Sequence, residues 1–235
     1  MLIQSDIMAS EKQIWVDILN DRLAEIDAVD YLLNKEINPD HCSWLFPDLK
    51  DSSIICSKKI VDFISDVKIN EIIDKIASSN YEEITSDVYP WVYSLEDALF
   101  VDLHLLSFNS LTNEELGFHS PYCKLKTRAN TQRFGQSHSS FLRLLGLVKH
   151  EYGADHITSL GLVVDDLAPS YRLNVVTKLY FSIPLIRNLY REDSLDLDNV
   201  FKYTSATMKE SVIKRRLPSV RKMVDEIEYL RRLDG

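Results

Sequence analysis

The chemistry that stands out in this sequence is a run of cations near its middle. Residues 121–150 contain no aspartate or glutamate, and the cationic side chains there are Lys124, Lys126, Arg128, Arg133, Arg143 and Lys149. Polar side chains that can hydrogen-bond base edges are interspersed with them, namely Thr131, Gln132, Gln136, Ser137, His138 and Ser139. Lysine and arginine neutralise phosphates, arginine pairs with guanine, and glutamine pairs with adenine. The stretch therefore predicts a surface that binds double-stranded DNA.

A second group of cations lies towards the C-terminal end of the chain. Its members are Lys214, Arg215, Arg216, Arg221 and Lys222, within a stretch whose apolar residues have helical spacing. Cationic side chains on a helix can hold phosphates and fix the position of a protein on a duplex. We expect these five residues to form the second part of the DNA-binding surface.

The net charge of the whole chain, −9, hides a division between its two halves. Residues 1–120 contain 23 acidic and 8 basic residues, a net −15, and residues 121–235 contain 13 acidic and 19 basic residues, a net +6. Screening acts over roughly 8 Å at physiological salt, so a phosphate responds to the local patch and not to the total. The division favours nucleic acid for the second half and a protein partner for the first. Two merely solvated surfaces are the alternative.

A nuclease site is the catalytic alternative. Pro47-Asp48, followed by Asp66-Val67-Lys68, is similar to the PD-(D/E)xK nuclease pattern. In that pattern two carboxylates hold a divalent metal and a lysine steadies the attacking water. The pattern requires adjacent strands, whereas the sequence around Asp66 has the spacing of a helix. No catalytic residue is therefore assigned, and Asp48, Asp66 and Lys68 are kept as the alternative.

Other residues that could hold a metal or cofactor lack the required spacing. His150-Glu151 and Asp155-His156 do not form a helical His-Glu-x-x-His motif. The cysteines are too far apart for a zinc site and are expected to be buried thiols: Cys42, Cys56 and Cys123. Phosphate-binding glycine loops are missing from the sequence. We expect no metal and no cofactor.

Composition indicates a cytoplasmic, helical protein. The sequence has few glycines and prolines, six and seven, and it has no apolar run of bilayer length. The odd number of cysteines fits a reducing compartment. The aromatic residues Tyr89, Trp91 and Tyr93 are at mixed spacing, and they are expected to be core anchors or a partner-binding face.

Residues 1–110 are predicted to form an acidic helical domain that docks on a protein partner. Apolar periodicity indicates a helix from Ser10 to about Lys35, further helices near 56–66 and 70–78, and a strongly apolar helix over 95–108. The last of these offers a face for a homodimer.

Residues 111–165 carry a recognisable order of elements. Thr112 and Glu115 form a capping box that opens a short helix, which Gly117 closes. A basic connector, a second helix ending in Leu-Gly-Leu-Val and a hairpin with its tip at Gly153-Ala154-Asp155 follow. The order resembles a winged helix-turn-helix over residues 111–163. That resemblance implies that the second helix enters the major groove and that Lys149 and the neighbouring histidines lie on the wing.

Residues 166–235 are predicted to be helical. A helix is interrupted at Pro184, the stretch 195–207 forms a short helix, and residues 205–233 repeat the first unit weakly as a second helix-turn-helix.

The chain resembles small winged-helix accessory subunits of bacterial SMC-type and anti-phage complexes, Lamassu-like ones among them. The resemblance rests on residues 111–163 and on the Arg-Arg-hydrophobic-x-Ser-Val-Arg run that ends at Arg221. It implies a non-catalytic subunit that docks on a larger ATPase or nuclease and presents DNA to it. A stand-alone, dimeric transcriptional repressor and a winged helix that binds only protein are the alternatives.

Overall fold

A computed structural model describes residues 2–77, 82–191, 195, 197 and 208–234. These residues are mainly helical, with a small two-stranded antiparallel sheet. No helix in these ranges combines the length and the apolar character that crossing a bilayer requires. The predicted class, mainly α with a small hairpin, is confirmed at this level.

The N-terminal part begins with two helices where the sequence predicted one. Helix α1 spans Leu2–Leu19 and α2 spans Glu25–Leu33. Between them Asp21 adopts a left-handed conformation, with φ of 53°. Aspartate tolerates this conformation, and its side chain competes with the helical hydrogen bonds, which ends α1 despite continuing apolar periodicity.

Short helices and two longer ones complete this part. After a 3-10 turn over Pro39–His41 come α3 (Cys42–Leu45), α4 (Ser52–Asp66) and α5 (Ile69–Ala77). The last two confirm the helices predicted near 56–66 and 70–78.

The apolar helix predicted over 95–108 is confirmed, with an irregularity. It consists of α6 (Leu95–Asp97), a π-helical turn (Ala98–Asp102) and α7 (Leu103–Phe108). Leu99 and Leu103 are among its buried apolar side chains, whereas Phe108 at its end is 71% exposed. The chain's own core covers these buried side chains, so they are not the surface that a second copy would contact.

Helix α8 (Asn113–His119) opens with the predicted capping box, which is confirmed. The Thr112 hydroxyl accepts a bond from the backbone N–H of Glu115 at 3.2 Å, and the Glu115 carboxylate accepts one from the N–H of Thr112 at 2.9 Å. Gly117 lies inside α8 and does not end it.

Helix α9 (Arg128–Leu144) leads into the hairpin of β1 (Val148–Glu151) and β2 (Ala154–Ile157), with Val148 opposite Ile157. The tip is Tyr152-Gly153, both with positive φ, one residue earlier than predicted. Leu111 pairs with Asp155 through two backbone hydrogen bonds of 3.1 and 2.8 Å, which adds a third short segment to the hairpin edge.

The remaining helices are α10 (Ser159–Asp165), α11 (Pro169–Leu179), α12 (Pro184–Tyr190) and α13 (Glu210–Asp234), with a 3-10 turn over Tyr180–Ser182. The interruption at Pro184 is confirmed. Apart from residues 195 and 197, the short helix predicted over 195–207 lies outside the described residues.

The prediction of a second helix-turn-helix is wrong over residues 210–234, because these residues form one helix with Pro218 inside it. An interior proline costs a helix ~3 kcal/mol. Burial of the apolar face of α13 offsets that cost, with Val220, Met223 and Ile227 completely enclosed.

One cluster of buried side chains runs through all three segments that the sequence suggested. It extends from Trp15 and Ile18 in α1 through Phe141 in α9 to Ile227 in α13. Ser57 of α4 also donates a buried hydrogen bond to Ser159 of α10 at 2.9 Å. The helix pair α8–α9 and the hairpin are therefore mounted on a core to which the whole chain contributes.

Candidate nucleic-acid interface

Two glycines let α8 and α9 cross at very short distance. A β-carbon on Gly117 would lie 2.0 Å from the carbonyl oxygen of Thr131, and one on Gly135 would lie 1.9 Å from that of Asn113. No side chain fits at either position, so both glycines are needed for backbone approach. This crossing fixes which face of α9 is turned outward.

The outward face of α9 carries polar and cationic side chains. Gln132, Arg133 and Gln136 are exposed, as the sequence predicted for groove-facing residues. Arg128 is also exposed and pairs with Glu114 at 3.1 Å. Ion pairs this exposed contribute little to stability, so Arg128 can exchange its carboxylate for a phosphate at small cost.

His138 does not lie on the outward face, and the expectation that it contacts DNA is wrong. Its side chain is completely buried, and its Nδ1 lies 2.5 Å from a carboxylate oxygen of Asp102 in the π-helical turn. It follows Phe134 by one helical turn and shares that residue's buried face. Ser137 and Ser139 are buried beside it.

The two lysines of the connector have different environments. Lys124 is exposed. The ammonium of Lys126 donates to the carbonyl oxygens of Gly117, Phe118 and Ser120 at 3.0, 2.6 and 2.5 Å. A cation at the C-terminal end of a helix satisfies free carbonyls and interacts favourably with the helix dipole. Lys126 therefore caps α8.

The cations near the hairpin have acidic partners. Arg143 lies 3.7 Å from Asp155 and donates to the hydroxyl of Ser140 at 3.1 Å. Lys149 lies 3.4 Å from Glu151 and 3.8 Å from Asp40. The hairpin is consequently less positive than the sequence suggested.

Helix α13 carries both exposed and bound cations. Arg215 and Arg221 are exposed, and among the described residues neither has a carboxylate oxygen within the 4.0 Å of an ion pair. Lys214 pairs with Glu210 at 2.6 Å, and Lys222 pairs with Glu96 at 3.3 Å. These bonds leave Arg215 and Arg221 as the freest cations of this helix.

Arg216 is bound into the structure instead. It donates to the carbonyl oxygens of Ser86 and Tyr89 at 2.8 and 3.3 Å. Burial, and then the neighbouring charge of Arg215, lower the pKa of the Arg216 guanidinium. Its position indicates that it anchors the chain and does not contact a ligand directly.

Residues 82–94, named here the Trp91 segment, lie between α9 and α13. The guanidinium of Arg133 lies 5.7 Å from the centre of the Trp91 ring, and that of Arg216 lies 5.4 Å from it. Tyr93 stacks on Phe134 of α9 at 5.7 Å. The two cationic groups that are 82 residues apart in sequence, at Arg133 and at Arg215, are thereby brought to one surface.

The sequence did not identify Trp91 and Tyr93 as part of this surface. It favoured a core or partner-binding role for them because their mixed spacing fits neither a helix face nor a strand. The one local signal was Pro90, which marks residues 89–93 as irregular chain and hence free to present side chains on both sides.

The residues of the nuclease alternative are not brought together. Asp48 precedes α4, and Asp66 is the last residue of that 15-residue helix, with Lys68 beyond it. At 1.5 Å per residue this helix is roughly 22 Å long, with Asp48 before its first residue and Asp66 as its last. Asp66 lies in a helix and not on one of the two strands of the described chain, so the adjacent-strand arrangement that this pattern requires is not found around it.

The histidines, cysteines and carboxylates elsewhere are likewise dispersed. Among the residues that the structure describes, no group of three or more is arranged to hold a metal ion. The cysteines are buried free thiols, Cys42, Cys56 and Cys123.

Comparison with protein-family models, with curated proteins and with solved structures gave no match.

Proposed function

We propose that residues 95–157 form a winged helix-turn-helix and that this chain binds double-stranded DNA without acting on it chemically. The support is the order of elements: an apolar helix (α6–α7), the single extended residue Leu111, α8, α9 and a hairpin. The pairing of Leu111 with Asp155 places that residue at the edge of the hairpin, as the first strand of a winged helix would be. In such units the second helix of the pair enters the major groove.

The observation that carries the proposal is the polar outward face of α9 beside uncompensated cations. Gln132 and Arg133 project from the first half of this helix, and Lys124 precedes it. Gln136 and Ser140, further along, border a cavity that the Trp91 segment closes on its other side. The first half of α9 is therefore the part that we propose enters a groove, with the exposed Lys124 and Arg221 holding phosphates.

We extend the proposal to an accessory role in a larger bacterial assembly of the SMC or genome-defence type. The support is the net charge of −15 on residues 1–120. Many of these acids are exposed on or beside α2, α4 and α5: Asp21, Glu25, Asp48, Asp51, Asp62, Asp66, Glu71 and Asp74. A surface of this sign repels DNA and attracts a basic protein face.

The test is binding of the full chain to a mixed-sequence duplex of about 40 base pairs across a salt series. We expect log affinity to fall linearly with log salt, because bound cations release counterions from the phosphates. The double variant Lys124→Glu, Arg221→Glu should bind at least about tenfold more weakly at low salt. Its slope should be smaller by about 2, one unit for each lost phosphate contact.

The matched control is Lys50→Glu, Lys58→Glu, which makes the same change of charge at exposed positions in the acidic part. We expect its affinity to remain within about threefold of that of the unaltered chain. Absence of binding at low salt, or equal losses in the two double variants, would refute the DNA proposal. The α8–α9 unit would then be a protein-docking module.

A further inference from the structure

A cavity of about 410 Å³ lies where the Trp91 segment meets α9 and α13. The side chains that matter in its lining are Trp91, Tyr93, Arg133, Arg215 and Lys222. Its volume is in the range of sites that hold small ligands, roughly 300–1,000 Å³. Two aromatic rings and three cations therefore lie around one small cavity.

The aromatic side of the cavity is held firmly. Tyr93 is 54% exposed, and its ring lies nearly parallel to that of Phe134, with an angle of 8° between them. Trp91 is half-buried and contacts Tyr93 edge-on, with ring centres 5.8 Å apart. Rings that are fixed from behind offer a stacking surface that loses little entropy when a flat ligand binds.

Two of the three cations that line the cavity lack neutralising partners. Lys222 pairs with Glu96, but neither Arg133 nor Arg215 has a carboxylate oxygen within 4.0 Å in the described part of the chain. The guanidinium of Arg216 lies immediately behind, against Trp91. Like charges gathered around a partly enclosed space repel one another, and an anion bound among them relieves that repulsion.

We propose that this cavity binds a nucleotide unit, with the base stacked on one ring of the Trp91–Tyr93 pair and its phosphate held between Arg133 and Arg215. The inference deepens the proposed function, and rests on it in part, because the cavity adjoins the outward face of α9. A nucleotide unit can come from a free mononucleotide or from a single strand, such as the frayed end of a bound duplex.

The experiment measures quenching of tryptophan fluorescence in the full chain by thymidine monophosphate, by a twelve-residue oligothymidylate and by inorganic phosphate at constant ionic strength. Quenching by the oligonucleotide alone identifies a strand as the source, and quenching by the mononucleotide as well identifies the nucleotide unit itself. Phosphate should not quench, because it offers no ring to stack. Absence of quenching by both nucleotides, or equal quenching by phosphate, would overturn the inference.

Variants assign the effect to the cavity. In an anisotropy titration with labelled oligothymidylate, Trp91→Leu should bind at least about fivefold more weakly, the lower end of what one stacked base contributes. The matched control is Trp44→Leu, which removes a tryptophan that is 68% exposed on α3, and we expect its affinity to change less than twofold. Because Trp91→Leu can disturb packing, the exposed Arg215→Ala is the second variant, and it should also weaken binding.

Unchanged binding in both cavity variants would overturn the inference whatever the duplex result. Retained oligothymidylate binding in Lys124→Glu, Arg221→Glu, together with loss of duplex binding, would support a cavity site that is separate from the duplex-binding surface. Oligothymidylate binding that depends on Trp91 in a chain that does not bind duplex would refute the proposed function and support the cavity.

Discussion

The α-carbon of Gly117 faces the carbonyl oxygen of Thr131 so closely that a β-carbon on residue 117 would lie 2.0 Å from that oxygen. This contact joins α8 to α9 and sets the rotation of α9 about its own axis. The rotation turns Gln132 and Arg133 outward and encloses Phe134 and His138. The composition of the outward face thus depends on a position that has no side chain.

Gly117→Ala should destabilise the fold. The added methyl group meets backbone, which cannot rotate away, and overpacking of this kind costs about 1–3 kcal/mol. Urea unfolding followed by circular dichroism measures the change in the free energy of unfolding. Gly146→Asn is the control, because Gly146 has φ of 74° with no atom within 4 Å of an added β-carbon, and asparagine tolerates that conformation. A loss as large in the control as in Gly117→Ala would contradict the prediction.

Asp102→Ala should lower the free energy of unfolding by about 3 kcal/mol, because it leaves the imidazole of His138 buried without its hydrogen-bond partner. The chain supplies its own comparison in His104, which lies 2.9 Å from Asp165 but is 56% exposed. His104→Ala should cost less than ~1 kcal/mol. Chemical unfolding at pH 7 measures both variants, and similar losses would show that burial of the Asp102–His138 pair has no special weight.

The carboxyl of Glu226 should make stability fall as pH rises. Burial raises its pKa above the ordinary 4.5, and its carboxylate accepts a hydrogen bond from the Tyr180 hydroxyl at 2.6 Å. The unfolded chain therefore loses this proton first, so the stabilisation is complete below pH 4.5 and is lost as pH rises through the folded pKa. Relative to the unaltered chain, Glu226→Gln should gain stability between pH 4.5 and 7, measured as the urea midpoint across a pH series.

Glu210→Gln is the control with the opposite sign. A hydrogen bond from Lys214 lowers the pKa of Glu210, so its contribution is present above pH 4.5 and is lost as pH falls. For each variant, the urea midpoint is compared with that of the unaltered chain at every pH. If this difference changed with pH in the same direction for both variants, the trend would not arise from Glu226.

Lys124 and Lys126 are separated by one residue and should give opposite phenotypes. Lys126→Met removes the cap of α8 and should lower the free energy of unfolding by about 0.5–1.5 kcal/mol, because its hydrogen bonds to the helix carbonyls are partly exposed to solvent. Lys124→Met should leave stability unchanged and weaken duplex binding. Thermal unfolding and a duplex titration on both variants separate the roles, and a binding loss confined to Lys126→Met would reverse the assignment.

The elements of this chain with local signals could be predicted from the sequence. Thr112 and Glu115 predict the start of α8, Pro184 predicts a break, and the apolar spacing over 95–108 predicts a helix. Each of these signals acts within a few residues. The exposure of Gln132 and Arg133 was also predicted. The break at Asp21 was missed because a left-handed aspartate leaves the apolar periodicity on both sides intact.

The remaining features depend on contacts that are distant in sequence. Pro218 indicates a helix end locally, yet α13 continues because its apolar face is buried by other elements. His138 is typical of a groove-facing side chain until Asp102, 36 residues earlier, is placed beside it. Trp91 contacts both Arg133 and Arg216, which lie in two other segments of the chain. A local spacing pattern cannot predict a contact between three distant segments.

The single core has a consequence for how this chain can be cut and fused. Phe141, Leu142 and Leu145 of the α9 region pack into the same cluster as Trp15 and Ile227. A fragment limited to residues 95–157 would leave their apolar surface uncovered and prone to aggregate. The DNA-binding unit proposed here is therefore not expected to fold when it is separated from the rest of the chain. A fusion protein that uses this unit would therefore have to contain the entire chain.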